Sequence, residues 1–179
     1  MNRCIPAAAL ILAMTASGAL AAPTQLYGKS VVVSWTENRM QTTDVSSVPT
    51  PMTASGQLSI YVSDKGRTFS RISMVVSGRR RTNSGQLDRA PGEASARSIS
   101  FHANSMRAAA PVGNAGARLV SVTFDSGFQG CSAHVVTGKT PGASGTTVHS
   151  FVTGRQYTFF SVQTSGESCS VQSGNVFGN

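Results

Sequence analysis

The stretch SGRRRTNSG, residues 77–85, sets Arg79, Arg80 and Arg81 side by side among glycine, serine, threonine and asparagine. Guanidinium groups meet carboxylates and phosphates through a fixed fork of N–H donors, so the triplet is the most pointed chemical feature of the chain, a candidate grip for an anion. In a strand, three successive side chains would alternate faces and turn at least one arginine toward the core, which is costly without a partner. The triplet is therefore expected on an exposed loop. On the binding reading it converges with Arg67 and Arg71 of the preceding strands on one polyanion site; on the plainer reading it is a solvated charge run.

Catalytic constellations are poorly represented. A hydrolytic triad needs a nucleophile beside a histidine that a carboxylate orients. His102, His134, His149 and Asp125 are available, but no G-x-S-x-G elbow singles out a serine. Each histidine reads first as an ordinary strand residue. Neither H-E-x-x-H nor C-x-x-C occurs, which argues against a zinc site. A glycosidase pair would have to come from Glu37, Asp44, Asp64, Asp88, Glu93, Asp125 and Glu167, most of which fall at predicted turns or loops. Asp125 in FDSG reads as a turn former. No phosphate loop or βαβ unit appears, so no cofactor is expected. Trp35 ends an apolar strand and reads as a core anchor, with an exposed stacking surface for a sugar or base as the alternative. Tyr27, Tyr61 and Tyr157 leave the same choice open.

The elements that must position these residues are strands. LYGKSVVVSW (26–35) is rich in β-branched and aromatic residues, and GQLSIYVS (56–63) alternates Leu58, Ile60 and Val62 with polar partners. SDKGR (63–67) then predicts a tight hairpin into TFSRISMVVS. ARLVSVTF, QGCSAHVVTGK, YTFFSVQ and SCSVQSG continue the alternation, punctuated by DSGF and TSGE turns. MQTTDVSSVPTPMTAS (40–55) reads as a long polar loop or a poorly ordered edge, and TPGASGT (140–146) as irregular. The expected fold is all-β, an antiparallel β-sandwich or open barrel of about seven to nine strands.

Residues 1–21, MNRCIPAAALILAMTASGALA, combine Arg3, an apolar stretch and a terminal Ala-Leu-Ala, which reads as a signal peptide cleaved after Ala21. Residues 22–179 then form a single domain directed to the periplasm or the exterior. No later apolar run approaches the ~20 residues of a membrane helix. Cys4 leaves with the leader. Cys131 and Cys169 remain, and an isolated pair in an oxidising compartment is most simply a disulfide, closing a loop that stabilises the fold by about 4 kcal/mol. The chain carries 15 Lys and Arg against 7 Asp and Glu, a formal charge of +8 at pH 7. Arg3 is the one basic residue lost with the leader, so the positive excess persists and favours an anionic glycan, a lipid head group or another polyanion.

LYGKSVVVSWTE, IYVSDKGRTFSR, VTFDSGFQGCSAHVVTGK and the terminal SCSVQSGNVFG resemble a group of small secreted proteins of soil alphaproteobacteria that carry no assigned function. The resemblance spans nearly all of the chain after the leader, with 40–55 least characteristic. It implies export and a paired Cys131 and Cys169, and it brings no activity and no catalytic residues. The expected function is that of a non-enzymatic binding or envelope-associated module preferring anionic partners. The alternatives are a small hydrolase of envelope polymers, with His134 or His102 as acid/base, and a purely structural exported protein.

Overall fold

The computed structural model describes residues 21–76, 79–85, 98–111, 117–137, 146–149 and 154–178. Residues 1–20 of the expected leader, the acids Asp88 and Glu93, and nearly all of TPGASGT lie outside them. Ten strands are described after a short 3₁₀ turn at Thr24–Leu26: β1 (Lys29–Thr43), β2 (Ser46–Val62), β3 (Thr68–Val76), β4 (Arg79–Gly85), β5 (Ile99–His102), β6 (Ser105–Pro111), β7 (Ala117–Phe124), β8 (Cys131–Thr137), β9 (Thr146–His149) and β10 (Gln156–Ser173). They form two antiparallel sheets, one ordered β4-β3-β2-β1-β10-β9 and the other β5-β6-β7-β8. The all-β, antiparallel architecture is the one the alternation implies, and two of the ten strands, β5 and β9, are only four residues long.

The core lies between the sheets. Val31, Val33 and Trp35 on β1, Leu58, Ile60 and Val62 on β2, and Ile72 and Met74 on β3 face Phe101, Met106, Val120, Val122, Phe124 and Val135 of the smaller sheet, all of them buried. Burial of each large side chain of this kind contributes about 1.5–3 kcal/mol. Trp35 is the anchor expected of it, 2% exposed. Its indole lies against Gly56, its register partner on β2, where a Cβ would stand 2.2 Å from the ring. The Cys131–Cys169 disulfide, with a Cα–Cα separation of 5.5 Å, joins the start of β8 to β10 and so ties one sheet to the other. Thr164 adds a second tie by donating to the Val135 carbonyl.

Residues 40–55 are not a loop. β1 and β2 run on as a hairpin whose turn is Asp44–Val45, with pairing from Lys29↔Val62 out to Thr43↔Ser46. Pro49 and Pro51 suggested irregular chain because proline cannot donate to a sheet ladder. They are tolerated here because β3 pairs only with Ala54–Val62, so the outer part of β2 has no described neighbour on its second side. The turn expected at 63–67 is present: Gly66 N–H donates to Ser63 O, and Arg67 N–H to Ser63 Oγ.

The arginine triplet is also in a strand. Arg79–Gly85 pairs with β3 as the edge of the six-stranded sheet, in the register Val76↔Arg79, Val75↔Arg80 and Met74↔Arg81. Charged residues are a common feature of edge strands, where they discourage pairing with another chain.

Candidate functional site

Two regions carry the chemistry. The first is the outward face of the six-stranded sheet. On β1 to β3 this face presents Ser34, Thr36 and Asn38, then Thr53, Ser55, Gln57 and Ser59, then Arg71, Ser73 and Val75, with no acidic side chain among them. Ser34, Thr36, Ser55, Gln57 and Ser73 line a shallow depression of about 260 Å³. Arg71 is exposed and sits one row to one side of it, opposite Ser59 and Ser84. Arg80 holds the register position of the outward residue Val75, at the other side of the depression.

The structure therefore divides the five arginines singled out in the sequence. Arg71 and the Arg80 position share the outward face, four rows apart, or about 13 Å at the usual strand rise. Arg79 and Arg81 occupy the alternate register positions, opposite Val76 and the buried Met74. Arg67 is exposed at the end of the turn before β3. The Arg71 guanidinium lies 4.8 Å from the centroid of the Phe177 ring. Such stacking steadies the plane of a guanidinium while its N–H edge stays available for an anion. Phe177 is itself held in place by the tail, where Ser30 Oγ donates to Gly174 O at 2.7 Å and accepts from Val176 N–H at 3.1 Å.

The second region was not legible as a site. Inward positions of β1 continue beyond Trp35 as Glu37, Arg39, Gln41 and Thr43, all polar. Glu37 is fully buried, Arg118 is 2% exposed and Arg39 is 6% exposed. Arg118, the first inward residue of β7, grips Glu37 as a fork: Nε donates to Oε1, and Nη2 donates to Oε2 at 2.9 Å. Trp35 Nε1 donates to the same Oε1 at 3.0 Å, and Arg39 Nη1 stands 3.8 Å from Oε2. Burial pushes the Glu37 carboxyl upward, but the Arg118 fork and charge, the indole N–H and the Arg39 charge outweigh it and hold the group below its ordinary value. Farther out, Arg39 lies 4.0 Å over the Phe159 ring and Nη2 donates to Met52 Sδ at 3.5 Å.

The candidate catalytic residues do not assemble among the described residues. His134 is on the outward side of β8, its side chain 74% exposed, with Nδ1 3.8 Å from Glu167 Oε1. Ser105 Oγ bonds to the backbone oxygen of His102, not to its ring. Asp125 is the turn former it resembled: its carboxylate accepts N–H bonds from Gly127, Gln129 and Gly130 at 3.1, 2.9 and 2.7 Å. Those bonds, with that from Gln129 foremost, hold its carboxyl below the ordinary value. Among the described residues no group of three His, Cys, Asp or Glu side chains is placed to hold a metal ion, and no helix is long and apolar enough to cross a membrane.

No family model matches this chain, and neither does any curated protein or solved structure. Function has to be read from the geometry.

Proposed function

We propose that the protein is an exported, non-enzymatic binding module for anionic partners, and that the outward face of the six-stranded sheet is its contact surface. The observation that carries this reading is the acid-free run of hydroxyl and amide side chains on β1, β2 and β3, with Arg71 on one side and the Arg80 position on the other. Neutral hydroxyls donate to phosphate, sulfate or carboxylate oxygens at little desolvation cost, and flanking guanidiniums supply the charge. The excess of basic over acidic residues, which persists without Arg3, draws such partners toward the surface. Export, with residues 1–21 as the leader, agrees with the Cys131–Cys169 bond, which persists in an oxidising compartment.

The test compares two pairs of arginines. Wild-type protein should bind a sulfated polysaccharide with affinity that falls as salt rises. The Arg71→Ser/Arg80→Ser variant should bind less tightly with a shallower salt slope, and the Arg79→Ser/Arg81→Ser variant should lose less. Equal behaviour of wild type and the Arg71/Arg80 variant at every salt concentration would remove the outward face from consideration.

A further inference from the structure

The depression on the outward face has a direction. Its side chains come in two rows that run across the strands: Ser73, Gln57 and Ser34 are register partners along one, Val75, Ser55 and Thr36 along the other. Both rows continue onto β10, to the exposed Ser168 opposite Ser34 and the exposed Ser165 opposite Thr36. Between those serines β10 bulges at Gly166 and Glu167. At Gly166 φ is +63° and a Cβ would meet nothing within 4 Å, so the β10 end of the depression stays open. Glu167 is engaged elsewhere, its Oε1 3.8 Å from Nδ1 of His134 on β8. The result is a shallow trough crossing β3, β2, β1 and β10, about 14 Å over three strand spacings.

Positive charge belongs to one end of it. Arg71 stands one row before Ser73 on β3, and the Arg80 register position stands beside Val75, one row beyond Ser73. From Gln57 to Ser168, and from Ser55 to Ser165, the two rows carry hydroxyl and amide groups and no charge. A hydroxyl donates and accepts, and so does an amide; Gln57 Nε2 donates to Ser59 Oγ at 3.3 Å, which steadies that side chain.

We infer that the trough takes an extended, sparsely charged glycan lying across the strands, with one acidic group near Ser73 between the two arginine positions and neutral pyranoses over β2, β1 and β10. This deepens the anion-binding reading above and rests on it. The uncharged length of the trough selects the class. Sugar hydroxyls donate and accept as its lining does, and the units of an extended pyranose chain follow one another at nearly the spacing of the strands. A nucleic acid or polyphosphate carries a charge on every unit and would leave those over β1 and β10 unanswered. Bases also need a ring to stack on, and Trp35, the one aromatic residue along the trough among the described residues, has its indole in the core, 2% exposed. A bilayer needs an apolar surface to enter it, and Val75 is the one exposed large apolar side chain on the trough.

The experiment measures binding of the folded protein, at about 0.15 M salt, to a β-linked tetrasaccharide of neutral hexoses ending in one uronic acid, to the same tetrasaccharide without the acid, to inorganic polyphosphate and to anionic phospholipid vesicles. The acidic tetrasaccharide should bind most tightly, its affinity falling no more than about tenfold between about 50 and about 200 mM salt, as one or two neutralised charges would give. Thr36→Val and Ser34→Ala/Gln57→Leu should each weaken it about threefold to tenfold, with the melting temperature unchanged and polyphosphate binding as before. Arg71→Ser/Arg80→Ser should erase the preference for the acidic over the neutral tetrasaccharide. Tighter binding of polyphosphate or vesicles, or wild-type glycan binding by both polar variants, would overturn the glycan assignment and leave the anion-binding face standing. Failure of every charged probe to bind would overturn both.

Discussion

Two halves of one strand face differ more than the two sheets do. From Val31 to Trp35 the inward side of β1 is apolar and meets Val120, Val122 and Phe124 across the core. From Glu37 to Thr43 the same side of the same strand is charged or polar, and Arg118 reaches it from the first turn of β7's inward row. The first half gains by burial. The second keeps groups whose burial is costly, and it keeps them in a line. A strand shaped for burial alone would have continued Val31 and Val33 outward; at Glu37 its inward side changes instead from apolar packing to buried charge and polar groups.

The largest effect should come from breaking the polar half at its hub. Glu37→Gln leaves two buried guanidiniums short of their carboxylate and should lower the unfolding free energy by about 3–5 kcal/mol in a urea titration. Replacing Glu37 and Arg118 together by leucine and methionine should recover most of that loss; if it does not, the pair is there for stability and the contrast between the halves weakens. The same carboxylate sets the acid limb. Its folded-state affinity for protons is depressed from the ordinary 4.5, so its stabilisation is complete above that value and drains away as pH falls through the depressed one. Melting temperatures of Glu37→Gln should accordingly show less dependence on pH over that acidic range than those of the wild type.

Next comes the staple of the apolar half. Cys169 is the register partner of Val33, so reduction releases the smaller sheet where the core is most apolar. The expected cost is about 4 kcal/mol, checked by denaturation with and without reductant, with the mass of the unreduced protein two hydrogens below that of the reduced form. Gly56→Ala is smaller but more local. Its Cβ would enter the Trp35 indole, and overpacking of this type costs about 1–3 kcal/mol. Were Gly56→Ala neutral, the apolar half would be looser than its geometry implies. The smallest effect is that of Arg71→Ser, within about 0.5 kcal/mol on stability, since the residue is exposed and only stacks on Phe177.

Much of the scaffold was legible because strands declare themselves by period two. Leu58, Ile60 and Val62, the Ser63–Arg67 turn and the inward Cys131, Ala133 and Val135 row all follow from alternation and turn chemistry. Residues 40–55 were misread because proline and polar side chains signal a loop only when both edges of a strand must be paired, and sequence does not show which edge is free. The Arg79–Arg81 triplet was placed in a loop because a strand must put at least one of three successive arginines on its inward phase; the chain pairs them in a strand all the same, at the edge of the sheet, where charge is common. Glu37 and Arg39 were passed over for a different reason. The alternation runs unbroken from Val31 through Trp35 to Arg39, and the signal was present, but a charged residue on the inward phase reads as the end of a strand until its partner is known. That partner, Arg118, lies 81 positions away, and nothing local announces it.

The position of β1 also governs the order in which the molecule can be assembled. Its β2 side is filled by the next strand in the chain, a local pairing that can form early. Its other side waits for β10, and the tie that seals the end of that seam, Ser30 to Gly174, spans 144 positions. Until the last strand docks, Val31 and Val33 stand on an open sheet edge in a chain otherwise nearly complete. Loop closure over such a distance is slow relative to hairpin formation, so the β1–β10 seam is expected to form after the β1–β2 hairpin. A holdase that shields β1 should therefore raise the yield of refolding, and a truncation before β10 should aggregate instead of folding in part.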